Sequence, residues 1–361
     1  MTPREVDVVV AVHDPRRPVA RAVASVLAQD DVHARVTVVC HNTDPAVIVE
    51  ALGAVHAAGG DDRVRTLELY DGVPSPAGPF NLGLDRAEAP YVSIMGSDDW
   101  LERGALASWL ELARRTSAEV VIPRLAHANG ARVPTPAARP GRVRDLGLVE
   151  DRLSYRSAPL GLVRRETVDR LGLRMREGLR VGEDVAFATA LWAGAKVAFD
   201  RRGPAYVIGD DAVERVTYTP RPIADELAFV LDLVALPWFT ALPQAARRAI
   251  AVKVVRIHVF GAVFHRQERE LWTSEERRDL SAVVHALDAA APHYDRVLSL
   301  ADRKLLDLAR SRTGTADALI AASVRRRHHG RPATVLTRDL SRLLAREAPA
   351  RFMAASFLTT R

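Results

Sequence analysis

At 361 residues, with 48% hydrophobic and 27% charged side chains and a formal charge of +6, the chain has the composition of a soluble globular protein long enough for two domains. Its single cysteine, Cys40, excludes an internal disulfide, and no apolar run approaches the ~20 residues of a membrane-spanning helix. The opening Met-Thr-Pro-Arg-Glu-Val-Asp lacks the apolar region of a signal peptide, so a cytoplasmic protein is expected.

Residues 6–12 read as a strand, with His13-Asp14-Pro15 as the turn after it. Pro18 opens a helix in which Val19, Val23, Val26 and Leu27 share one face. A second strand over 36–40 puts Cys40 in a packing role rather than a reactive one. The polar turn His41-Asn42-Thr43-Asp44 and a helix from Pro45 come next. A third strand, 64–69, leads through a Gly/Pro-rich loop to a short helix over 81–87 and an apolar strand, 91–96, that stops at Ser97-Asp98-Asp99. Strands alternating with helices predict an α/β fold with a mostly parallel, doubly wound sheet. Every polar turn named here falls at a strand's carboxyl end.

Residues 123–144, with prolines at 123, 134, 136 and 140, form a long irregular stretch, read as a lid or as a surface insertion. Beyond residue 219 strand-like runs stop, and helical periodicity is expected over 222–236, 242–266, 275–290, 295–311 and 315–327. The segment from Thr217 to Pro222 marks the expected boundary between a catalytic part, 1–219, and a helical part, 220–361. Acceptor binding, self-association into a homo-oligomer and membrane association are the roles open to the helical part.

Carboxylates just past the end of a buried strand sit at the crevice where open α/β sheets bind ligands. Asp98 and Asp99 there suit a divalent cation carried in by a phosphorylated substrate. Two solvated aspartates opening a helix at Leu101 are the plainer alternative. Structural zinc is excluded, because Cys/His ligand pairs at zinc spacing are absent.

Six motifs in order resemble the family 2 glycosyltransferases of the GT-A fold over roughly residues 5–218. They are Ala11-Val12-His13-Asp14, Ser25-Val26-Leu27-Ala28-Gln29, His41-Asn42-Thr43, Asn81-Leu82-Gly83-Leu84, Gly96-Ser97-Asp98-Asp99, and Leu171-Gly172-Leu173 followed by Gly182-Glu183-Asp184. The resemblance implies a bacterial-type, inverting, metal-dependent enzyme with a helical C-terminal extension. It would move a sugar from a nucleotide-sugar donor to a hydroxyl of a glycan, a lipid-linked glycan or another cell-envelope acceptor. Asp99 is then the direct ligand of Mn²⁺ or Mg²⁺, with Asp98 on the ribose or a metal-bound water. Such an ion stabilises the charge that grows on the leaving diphosphate. Asp184 is the base that deprotonates the acceptor. Ala11, Val12, His13 and Asp14 line the nucleotide base, and Ser97 belongs to the donor site. His41 stands where the family has an aspartate that reads uracil N3–H, and Asn81 contacts the donor or caps its helix.

Three departures bear on the donor. Gly96 replaces the metal motif's first aspartate, His41 replaces the base reader, and the late histidine gives way to the stretch 206–211, where Asp210 is the only stand-in. A UDP-sugar is therefore the default over dTDP- or GDP-sugars, and a degenerate, non-catalytic GT-A binding module is the alternative. The arginine-rich run Arg325-Arg326-Arg327-His328-His329-Gly330-Arg331 lacks interleaved aromatics, so no nucleic acid is expected. It reads as a solvated surface or as a peripheral contact with the anionic inner face of a membrane. The apolar end (Phe352, Met353, Phe357, Leu358) is open to packing, self-association or lipid.

Overall fold

The computed structural model describes residues 3–210, 220–311 and 314–360. Its strand-rich part carries strands β1 (Val6–Val12), β2 (Ala34–His41), β3 (Val64–Leu69), β4 (Tyr91–Gly96), β5 (Trp100–Leu101), β6 (Val120–Pro123), β7 (Leu125–His127), β8 (Leu162–Arg164), β9 (Val197–Asp200) and β10 (Tyr206–Ile208). Helices α1 (Val19–Leu27), α2 (Pro45–Leu52), α3 (Ala54–Arg63), α4 (Ala77–Asp85), α5 (Ala105–Thr116), α6 (Arg165–Arg170) and α7 (Val185–Gly194) alternate with them. One seven-stranded sheet runs β3-β2-β1-β4-β8-β6-β9, and a small sheet runs β5-β10-β7. Only β8 is antiparallel to its neighbours in the large sheet. The expected mostly parallel, doubly wound sheet is thus present.

The register aligns the carboxyl ends of the central strands. Ala11 pairs with Gly96, Val12 with Cys40, and His41 with Leu69. Four loops, after β1, β2, β3 and β4, therefore meet along one edge. The apolar runs of β1 and β2 are buried on both faces, as parallel strands covered by helices must be. Asp7 inside β1 is the exception that needs partners. Arg35 pairs with it at 2.9 Å, and the backbone N–H groups of Glu88 and Ala89 donate to it at 2.6 and 2.8 Å.

Two motifs turn out to be struts. Ser25 Oγ accepts from the Leu101 N–H at 3.1 Å, while Gln29 donates to the Glu102 carbonyl at 3.1 Å and accepts from the Leu106 N–H at 3.2 Å. These bonds clamp α1 to the chain just after Asp98-Asp99. Gly83 packs α4 against β1 so closely that a Cβ there would lie 2.1 Å from Val9.

Some expectations need correction. The helix expected over 81–87 starts at Ala77, because Pro76 and the buried Ala77 and Pro79 let it form one turn earlier. The stretch 123–144 is largely irregular, as expected, but is tied to the fold at two points. It contributes β7, which pairs with β10, and Arg139 grips the buried Asp151 at 2.7 Å. Among the described residues from 223 onward no strand occurs, and helices follow as expected. The first predicted helix breaks at Leu227 and again at Leu236. The second is continuous, but its middle widens into a π-helix over Val254–Val259. Thr217–Thr219, in the expected boundary, lie outside the described residues. One hydrophobic cluster runs through both parts, joining Phe187 and Leu191 of α7 to Phe229, Ile250 and Leu306.

Candidate active site

The apolar run of β4 ends in a tight turn at which Ser97 is buried, Asp98 is partly exposed and Asp99 is only 9% exposed. Tyr206 Oη, from β10, donates to Asp99 Oδ2 at 2.5 Å and accepts from the Gly96 N–H at 3.1 Å. The Gly209 N–H donates to Asp99 Oδ1 at 2.9 Å. Burial pushes the Asp99 carboxyl above the usual carboxylate range, against the pull of the Tyr206 hydrogen bond, and the charge of Asp98 adds to the push. Gly96 is required by this arrangement, since a Cβ there would lie 2.6 Å from Asp99 Oδ2.

Two arginines from the start of α1 close the other side. Arg17 pairs with Asp98 at 2.6 Å and donates to Ser97 Oγ at 2.6 Å. Arg21 donates to the Asp98 carbonyl and lies over the Trp100 ring at 4.4 Å. Sequence reasoning missed both, although their placement directly after the β1 turn was a usable signal. The donor set fits a hard divalent ion. Each Asp99 oxygen accepts one hydrogen bond and keeps a second lone pair, and a cation relieves the like charge of Asp98. Among the described residues no cluster of three or more His, Cys, Asp or Glu could hold a metal by itself.

At the end of β2, His41 is buried and its Nε2 lies 2.8 Å from Asp71 Oδ1. Asn42, at φ 52°, accepts from the N–H groups of Asp71 and Gly72 at 3.1 and 3.0 Å. Against the upward push of burial, hydrogen bonds from the Val73 N–H, His41 and Asn42 hold Asp71 below the usual range. The carboxylate missing at position 41 is thus present 30 residues on, in the loop after β3. Only the fold brings the two together.

The residues after β1 divide. His13 is exposed and Ala11 partly so, which suits a ligand-facing edge. Val12 is 1% exposed and its side chain sits in the core, so it cannot face a donor through that side chain. Asp14 accepts from the Arg16 backbone and guanidinium at 2.9 and 2.7 Å, which pulls its carboxyl down to about 2. Asp210 is exposed, one residue beyond Gly209.

Asn81 does not cap its helix. It lies in the middle of α4, 5% exposed, and its amide holds the segment before Asp184. Its carbonyl accepts from the Met175 N–H at 2.9 Å, and its NH₂ donates to the Met175 carbonyl at 3.0 Å and to Glu177 at 2.9 Å. The Arg176 N–H in turn donates to the Glu183 carbonyl at 2.9 Å. Asn81 is therefore a positioning residue for the Glu183-Asp184 loop.

Asp184 stands at the N-terminal boundary of α7 and is partly exposed. Burial raises its carboxyl, and the nearby Lys253 ammonium opposes the rise. Glu183 is pushed up to about 7, by burial and then by the charge of Asp184. Lys253 comes from the helix Gln244–Lys253; burial lowers it to about 8, with Asp184 pulling the other way. Its Nζ lies 2.8 Å from His258 Nε2. Burial first, and then Lys253, holds His258 well below its usual range, so the imidazole is the acceptor. These two residues are five apart, a spacing that an α-helix splays and a π turn brings into line. The Phe229 ring stacks edge-on against His258, with centroids 4.8 Å apart, and lies directly over Gly182. Nothing in the sequence pattern separated Lys253 from an ordinary surface lysine.

The basic run is partly committed to structure. Arg326 pairs with Asp302 at 2.9 Å and lies over Phe260, and Arg327 stacks on Phe264 at 4.0 Å. Arg325 and Arg331 are exposed. Phe352 packs against Tyr155, whereas Met353, Phe357 and Leu358 are exposed. No helix among the described residues is long and apolar enough to cross a membrane.

A mostly parallel sheet with an aspartate pair at the end of β4, followed by helices, defines a GT-A fold with a helical C-terminal part. Residues 7–172, a little under half of the chain, match the family model Glycosyl transferase family 2. The succinoglycan biosynthesis protein ExoO of Rhizobium meliloti is 28% identical over 225 residues, covering 59% of this chain and 63% of that protein. The poly(ribitol-phosphate) beta-N-acetylglucosaminyltransferase TarP of Staphylococcus aureus is 22% identical over 148 residues, 41% of this chain and 45% of TarP. The chain thus spans less than two thirds of the length of these relatives. The crystal structure of S. aureus TarS 1-349 in complex with UDP-GlcNAc superposes with a TM-score of 0.74, at 18% identity, over 90% of this chain and 91% of that one.

Proposed function

We propose that this chain transfers a sugar from a nucleotide-sugar donor, by default a UDP-sugar, to a hydroxyl of a cell-envelope glycan, with inversion. The observation that carries the reading is the Asp98-Asp99 pair at the carboxyl edge, held by Tyr206 and Gly209 on one side and Arg17 on the other. Asp99 and Asp98 would hold Mn²⁺ or Mg²⁺, which supplies charge stabilisation to the leaving diphosphate. Arg17 and Arg21 add fixed positive charge beside that edge. His41 Nε2–H donates to Asp71 Oδ1, so the acceptor atom that a uracil N3–H needs is offered by the Asp71 carboxylate. Asp184 takes the acceptor proton, and the raised position of its carboxyl makes it a stronger base than a solvated aspartate. Relatives named for succinoglycan biosynthesis and for glycosyl transfer to poly(ribitol-phosphate) support an envelope glycan as the acceptor class.

A thermal-shift screen of UDP-, dTDP- and GDP-sugars with and without Mn²⁺ tests the donor and the metal together. Binding at a hundredfold excess over Kd stabilises by about 2.7 kcal/mol. Metal-dependent stabilisation by a UDP-sugar is expected, and it should disappear in Asp99→Asn. One observation favours the second reading, a non-catalytic donor-binding module: both Asp99 oxygens are already hydrogen-bonded within the protein. Donor binding that is identical in EDTA, with no transfer to any acceptor, would establish that module instead.

A further inference from the structure

Away from the strand-edge site, four separate segments line a cavity of about 220 Å³. Its floor is apolar: Val149, Ala245, Ala249, Val252 and Val297. Ala245, Ala249 and Val252 are spaced along one face of the helix Gln244–Lys253, and the small alanines leave the room. Its rim is cationic: Arg248, Arg296, Arg342 and Arg346, with the exposed His293 beside them.

The charge of this rim is only partly met from within. Arg248 donates to the Pro292 carbonyl at 2.6 Å and Arg346 to the Glu150 carbonyl at 2.7 Å, both neutral acceptors. Arg342 has one carboxylate, Asp339, at 3.9 Å. Among the described residues no carboxylate lies within 4 Å of Arg248, Arg296 or Arg346, in a molecule where most arginines are paired. The one acid in the lining, Glu347, is buried and already shared by Arg152 and Arg256 at 3.7 and 3.9 Å.

We propose that this cavity binds a phosphate ester carrying a short apolar or polyol arm. Guanidinium groups suit phosphate oxygens, which they can grip with two parallel N–H bonds, and the apolar floor accepts the carbon chain. Size narrows the class. Pockets for drug-sized ligands run from about 300 to 1,000 Å³, so 220 Å³ holds a glycerophosphate-sized group and excludes a nucleotide sugar. The same chemistry is presented by the headgroup of an anionic phospholipid and by a soluble phosphate ester. The inference does not depend on the donor reading.

Isothermal titration calorimetry on the full chain tests it, with glycerol 3-phosphate, monomeric dihexanoyl-phosphatidate and phosphatidylcholine vesicles with or without phosphatidate as probes. Saturable binding at one site per chain is expected, weakened by salt and unaffected by excess UDP. Arg296→Gln and Arg342→Gln, both at exposed positions, should each weaken it about tenfold, the worth of one charge-assisted hydrogen bond. Ala245→Trp fills the cavity from an exposed position while keeping every arginine, and should abolish binding without lowering Tm. Binding to phosphatidate vesicles above that to glycerol 3-phosphate identifies a lipid headgroup as the source, and the reverse order a soluble ester. The proposal is overturned by displacement with UDP, by full binding in Ala245→Trp, or by no saturable binding to any probe.

Discussion

At the scale of single residues, the departures from the family pattern have local causes. Gly96 is not a lost ligand: Asp99 folds back over it to reach Tyr206, and a side chain there would occupy the space of its Oδ2. Gly96→Asp, which restores the family's fuller motif on paper, should therefore push Asp99 off Tyr206 and weaken metal-dependent UDP binding. Calorimetry with and without Mn²⁺ measures this; unchanged affinity would show that Asp99 has another place to go. The pair flanking the base gives a two-sided test. Asp184→Asn should cost about 10²–10⁴ in kcat with donor affinity preserved, because a general base acts only in the transition state. In Glu183→Gln a negative neighbour disappears, so Asp184 ionises more readily and the acid limb of the kcat/KM profile moves to lower pH. In Lys253→Met a positive neighbour disappears, and the same limb moves to higher pH. Shifts of the same sign in both variants would contradict the arrangement. Stability carries a signature of its own. The Glu183 carboxyl is raised to about 7, so its contribution is complete below its unfolded value and is lost as pH rises through about 7. Urea midpoints across that window should fall in wild type and fall less in Glu183→Gln.

At the scale of elements, much was legible and some was not. The apolar runs of β1, β2 and β4, Pro18 and Pro45 before their helices, and the Gly182-Glu183-Asp184 start of α7 are local signals that act within one or two turns of chain. They placed those elements to within a few residues. Asn81 was legible as a motif but not as a strut, because its partners, Met175 and Glu177, lie about a hundred residues away and carry no pattern of their own. His41 and Asp71, or Tyr206 and Asp99, are likewise contacts made by the sheet and invisible in either stretch alone. The π turn at Val254–Val259 had no local cue either. Asn81→Ala leaves the Met175 N–H and carbonyl buried without partners, at a cost of about 1–3 kcal/mol. Its catalytic effect should exceed its effect on donor binding, since the loop it frees leads to Asp184. Chemical denaturation and a KM-against-kcat comparison check both halves; a loss confined to donor affinity would return Asn81 to the donor site.

At the scale of the whole molecule, the strand-rich and helical parts share apolar packing: α7 buries its face partly on Phe229, Val230 and Ile250. A chain cut near residue 220 would expose that face, so it should be proteolytically labile and aggregation-prone, and should lack the Lys253 charge. Limited proteolysis of such a fragment measures this, and a stable, monodisperse product would mean that the parts fold independently.

Lys253 lies outside the strand-rich part, yet it helps to set the charge state of the group that would take the acceptor proton. Grafting the helical part of one relative onto the strand-rich part of another would therefore transplant a working pH along with it. The first half of such a hybrid would keep its choice of nucleotide, while the second half would decide in what acidity that choice can be used. Within one lineage, tolerance of an acidic niche could then drift by substitutions at Lys253 and His258 alone, with every residue that touches the donor left as it was.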